Sequence, residues 1–174
     1  HVAGIVGGDG ASGVVDEAGF LRGLGVAPSI NMIEQIYGSL INTPAGMYQL
    51  ITESYRNGAS ISNNSWGPAS IPLGYDMDTM MVDIGVRDAD PDQAGNQEFT
   101  YVLSIMNGYG TNIIDDGEGG TIEYPSLGTP DESKNLIKVG STFAQQPTGE
   151  QALDVDSVST NSAHGPALAK PGRF

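Results

Sequence analysis

The chain alternates between short runs of strand character and stretches with helical spacing. In 45–59, "AGMYQLITESYRNGA", Met47, Leu50, Ile51 and Tyr55 recur at helical intervals, and Gly58 is a suitable C-terminal stop. The stretch 74–89, "GYDMDTMMVDIGVRDA", is again helical, with Tyr75, Met77, Met80, Met81 and Ile84 on one broad side. That side reads as core packing rather than a cofactor-binding face. Strand character falls in 27–38, "APSINMIEQIYG", where Ile30, Met32, Ile33 and Ile36 lead into a loop. It returns in 59–67, "ASISNNSWG", in 99–105, "FTYVLSI", and in 135–142, "NLIKVGST". Strand, helix, strand, helix, strand predicts an α/β fold on a parallel sheet with right-handed crossovers. With 174 residues, no internal repeat and no low-complexity linker, one domain over 1–174 is expected.

Composition narrows the function. Hydrophobic residues make up 39% and charged residues 16%, with 25 glycines and 10 prolines, which is a loop-rich globular balance. The net charge of −14 repels phosphate backbones, and no basic stripe offers itself to an anionic membrane. Nucleic acid and membrane are therefore excluded as expected partners. No apolar run is long enough to cross a bilayer, and "HVAGIVGGDG" shows no signal-peptide pattern. The absence of cysteine removes thiolate catalysis, disulfides and zinc–thiolate sites.

Candidate chemistry sits at strand ends. In an open parallel sheet, ligands bind beyond the carboxyl ends of the strands. Two predicted strands end there in polar punctuation, at Ser65-Trp66-Gly67 and at Met106-Asn107-Gly108. From the residues alone, Asn107 is either a plain turn residue or an amide delivered to the sheet edge for chemistry. The glycine-rich "GIVGGDGASG" of 4–13 lacks the Lys-Ser/Thr of a phosphate loop and reads as a structural turn. "DADPDQAGNQE" of 88–98 begins like an EF-hand, but Gln93 and Phe99 occupy the positions that need Gly and Glu. "DDGEGG" of 115–120 reads as a solvated loop. His1 and His164 are too few for a zinc site, so no metal-ligating set is assigned.

The ordered set of stretches resembles the subtilisin-like serine peptidases. "HVAGIVGG" resembles the end of their His-Gly-Thr-His-Val-Ala-Gly segment, and "GVAPSINMIEQIYG" the Gly-Val-Ala-Pro strand that follows. "GASISNNSWG" is similar to the strand whose edge pairs with substrate backbone, and "FTYVLSIMNGYG" to the strand that ends Ala-Gly-Asn. "EYPSLGTPDESKNLIKVGST" and "STNSAHGPALAKPGRF" resemble the segments that come next, the last ending short. The resemblance covers nearly the whole chain and implies a doubly wound parallel sheet, incomplete at both ends. It also implies peptide-bond hydrolysis by a Ser-His-Asp triad.

Carried over residue by residue, the resemblance makes Asn107 the oxyanion stabiliser. It makes Ser65, Trp66, Gly67, Ser104, Ile105 and Met106 substrate-binding residues. His1 matches the second, structural histidine of the family motif, so the catalytic Asp, His and Ser are expected outside this chain. These 174 residues alone are then expected to be inactive. The implied protein is secreted, needs no cofactor, and takes an extended peptide or protein substrate. Structural calcium in a surface loop stays open, and the further segments of its own domain are candidate partners. Two departures stand out: Met106 replaces a glycine that lines the primary specificity pocket, and His164 stands where arginine is usual. A non-catalytic peptide-binding or structural module on the same fold is the alternative, holding a peptide by strand addition.

Overall fold

The computed structural model describes residues 1–41, 43–67, 74–107, 111–115, 121–125, 130–143 and 154–163. The chain divides into two compact units, His1–Ile36 and Tyr37–Phe174. In the first unit, α1 (Val2–Gly7) is followed by irregular chain. The strand expected in 27–38 does not form: the residues there are turn, bend or irregular chain. Ile30, Met32, Ile33 and Ile36 are all exposed, though Ile30 and Met32 also lie beside Gly7 of α1. The apolar residues at 30, 32, 33 and 36 follow neither strict alternation nor a clear helical period. No described strand pairs with this run, so it joins no ladder.

In chain order the second unit holds α2 (Gly46–Arg56), β1 (Ile61–Asn64), α3 (Met77–Arg87) and β2 (Thr100–Ser104). There follow β3 (Thr111–Asp115), β4 (Thr121–Pro125) and β5 (Ile137–Val139). Strands β1, β2 and β5 form a parallel sheet with β2 at its centre, in register through Asn64↔Leu103 and Ser104↔Val139. Strands β3 and β4 form an antiparallel pair of their own. The core gathers Met47, Leu50 and Ile51 of α2, Val82 of α3, and Tyr101 and Leu103 of β2. Residues two apart on a strand share a face, so β2 turns this face to the helices. The result is a small α/β arrangement.

Helix α2 buries the face its spacing predicts. Helix α3 does not. Its buried residues are Thr79, Val82, Asp83 and Gly85, whereas Met77 and Ile84 are exposed and Met80 and Met81 only partly covered. Gly85 explains part of the rotation. A Cβ there would lie 2.7 Å from Ile51 Cδ1, so only the bare backbone lets the two helices meet on that side. Asp83 explains the rest. Its Oδ1 accepts from Ser133 Oγ at 2.6 Å and from the backbone N–H groups of Lys134 and Asn135 at 2.8 Å. Its Oδ2 accepts from the Tyr75 hydroxyl at 2.7 Å. Burial alone would raise the Asp83 pKa, but these donors outweigh it and hold the carboxyl below its usual range. The helix therefore anchors the turn that leads into β5.

Two neighbouring residues before and at the start of α2 make opposite predictions. Ala45 sits in the left-handed region at φ 61°, where a Cβ is strained. A Cβ on Gly46 would stand 1.8 Å from the Leu40 carbonyl oxygen. Ala45→Gly should raise stability by about 1 kcal/mol, and Gly46→Ala should lower it by about 3 kcal/mol. Urea unfolding of the two variants checks both signs.

The acidic stretch 88–98 is held by internal donors. Arg56 grips Asp90 with Nε and Nη2 and reaches Asp92 as well, while the Asp92 N–H and Gln93 Nε2 also donate to Asp90. Hydrogen bonding from Arg56 is the main reason the Asp90 carboxyl falls from 3.8 to about 2. A folded pKa below the unfolded one contributes stability above about pH 4, lost as pH falls through the folded value. Urea midpoints measured from pH 5 to pH 2 should fall less steeply in Asp90→Asn than in the wild type. Among the described residues, no three His, Asp or Glu side chains are grouped to hold a metal ion.

Candidate functional site

Strands β1 and β2 run parallel, so their carboxyl ends open on the same edge of the sheet. Beyond β1 comes Ser65-Trp66-Gly67, and beyond β2 comes Ile105-Met106-Asn107. Trp66 is the fixed point of the first segment. Its ring stacks on Tyr37 with centroids 4.3 Å apart and planes 8° from parallel. Its Nε1 donates to Asn64 Oδ1 at 3.1 Å. The Asn64 amide in turn donates to the Val102 carbonyl at 3.2 Å and to Ser62 Oγ at 2.9 Å, which ties the indole to β2. Ser65 and Gly67 remain exposed on either side of it.

The second segment leaves the ladder stepwise. Ser104 closes the register with Val139, and the Ile105 N–H still donates to the Val139 carbonyl at 3.0 Å. The Met106 N–H turns instead to Asp131 Oδ2 at 3.1 Å, and the Met106 carbonyl accepts from Ala163 N–H at 2.8 Å. Asn107 pairs with Ser162 in an isolated antiparallel bridge and is itself exposed. Among the described residues, none hydrogen-bonds its side-chain amide. The Met106 side chain reaches across to the segment beyond β1: its sulfur lies 2.7 Å from where a Gly67 Cβ would be. A Cβ at 67 would make that sulfur shift.

A third wall comes from chain that returns to the edge. Ser159 N–H donates to the Ser141 carbonyl at 2.9 Å and Phe143 N–H to the Ser157 carbonyl at 3.1 Å. Ser162 Oγ accepts from Ser141 N–H at 3.1 Å. Residues 154–163 thus bind both the end of β5 and the residues beside Asn107. The arrangement presents an exposed amide donor at the end of the central strand, and the neighbouring segment 65–67 makes no backbone hydrogen bond among the described residues. Such a pair suits an extended peptide and a reacting carbonyl.

The Subtilase family model matches residues 1–173. The chain belongs to the subtilase family. No curated protein and no solved structure matches it. Subtilases are serine peptidases, and the sheet edge just described is where this subtilase segment brings Ser65, Trp66, Gly67, Ser104, Ile105, Met106 and Asn107 together. Tyr37, Asn64, Asp131 and Ser162 contact these candidate residues, and no sequence signal marked them. Tyr37 lies far from Trp66 in the chain, and Asp131 is a carboxylate only 1% exposed, where solvent is the default for its type. His164 lies outside the described residues.

Proposed function

We propose that this chain is the central part of a secreted subtilisin-like serine endopeptidase whose catalytic Asp, His and Ser lie outside these 174 residues. In this reading it is one partial peptidase domain on a doubly wound sheet, incomplete at both ends. Attack by serine on a peptide carbonyl places negative charge on the former carbonyl oxygen. Asn107 then donates its side-chain N–H to that oxyanion, a task that grows in strength only in the transition state. The observation that carries the reading is the exposed Asn107 amide at the end of β2, its backbone held and its side chain unclaimed by any described residue. Ser65, Trp66 and Gly67 pair with the backbone of an extended peptide substrate, and Ser104, Ile105 and Met106 line the pocket beside the scissile bond. The chemistry calls for no cofactor.

A serine-directed fluorophosphonate decides the matter. The intact protein should be labelled on a serine that follows Phe174 in the chain, and the pure 174-residue segment should neither be labelled nor cleave peptides. Turnover by that segment, abolished by the reagent, would overturn the placement of the triad. An intact protein that binds extended peptides but takes no label would be a binding module instead.

A further inference from the structure

Met106 lies past the last ladder registers on both sides of β2, so its N–H needs an acceptor from elsewhere. The acceptor is a carboxylate brought in from a turn. Pro130, Asp131 and Ser133 are fully buried, and the Ser133 N–H closes the turn on the Pro130 carbonyl at 2.9 Å. The same turn is fixed to α3, because Ser133, Lys134 and Asn135 all donate to Asp83. A continuous chain of contacts therefore runs from α3 through the turn to Asp131, on to the Met106 N–H, and so to the backbone next to Asn107. On the other side, Ala163 holds the Met106 carbonyl and Ser162 pairs with Asn107.

We infer that Asp131 is a positioning residue for the Asn107 amide, acting through the Met106 backbone rather than by touching substrate. This rests on the oxyanion role proposed above. An oxyanion donor is effective only when its direction is set before the reaction, because a donor that must reorient gives back what it gains. A side chain on a strand end is aimed by its own backbone. Fixing both polar groups of the preceding residue leaves that backbone one orientation. A buried carboxyl oxygen suits this purpose, since water does not compete for the hydrogen bond it accepts.

The test is a double-mutant cycle in the intact peptidase. Asp131→Leu fills the space but cannot accept, and it should lower kcat by about 10- to 100-fold with KM nearly unchanged. Asp131→Asn keeps an acceptor oxygen at the same reach and should restore most of the loss. In an Asn107→Ala background, Asp131→Leu should add less than about a twofold further loss, because the donor it positions is gone. Should the leucine variant fail to fold, Asp131→Ser, too short to reach the N–H, takes its place with the same expectations. An equal loss from the Asp131 change with and without Asn107 would overturn the inference while leaving the oxyanion role intact. If Asn107→Ala alone leaves kcat unchanged, the oxyanion reading itself fails and the inference falls with it.

Discussion

Replacing Asn107 by alanine in the intact peptidase is expected to lower kcat by about 100- to 1,000-fold, with KM within about threefold of wild type. The magnitude is taken over from subtilisin, the family's type enzyme, and corresponds to about 3–4 kcal/mol of transition-state stabilisation. The direction follows from the geometry. Asn107 is exposed at the end of the central strand, and its backbone is already paired with Ser162, so removal of the side chain should disturb the fold little. Substrate in its ground state has a neutral carbonyl and gains little from the amide, whereas the oxyanion gains much. Loss in kcat with retained binding is the signature of such a group. A rise in KM with unchanged kcat would instead make Asn107 a residue that holds the ground-state substrate, and the oxyanion role would be lost.

Parts of the fold were legible because pattern and packing agree. Met47, Leu50 and Ile51 fall on one side of α2 in sequence and are buried there. Phe99, Tyr101 and Leu103 read as a buried strand and belong to the core. The punctuation after β1 and β2 also held: both segments end on the same edge of the sheet. Where charge or glycine decides, the pattern misled. The broad methionine side of α3 looked like its buried side, yet Asp83 and Gly85 turn inward. Their reasons lie far away in sequence, in the Ser133–Asn135 donors and in Ile51. The same holds for Asp131. A carboxylate reads as surface until the N–H that it serves is known, and Met106 is 25 residues away. The β3–β4 pair was missed for a different reason. The glycines and acidic residues between its strands read as a solvated loop, which hid the β-branched segments on both sides.

Met106 sets the second large effect. In the family a glycine here lets a substrate side chain lie against bare backbone, and the methionine changes the shape of that space. Its sulfur stands beside Gly67, on the segment that follows β1. A small group beside the scissile bond fits without moving it. A large group has to displace a thioether that lies beside Gly67, and overpacking of that kind costs about 1–3 kcal/mol. The intact peptidase should therefore prefer alanine over phenylalanine at that substrate position by roughly 10- to 100-fold in kcat/KM. Met106→Gly should erase most of this preference by raising turnover of the phenylalanine substrate, while the alanine substrate changes little. The backbone contacts of residue 106 to Asp131 and Ala163 do not involve its side chain, so the Asn107 amide should keep its place in the variant. Should the alanine-to-phenylalanine ratio stay where it was after the substitution, the methionine does not occupy the pocket, and selectivity has to be sought in Trp66 and its stacked partner Tyr37.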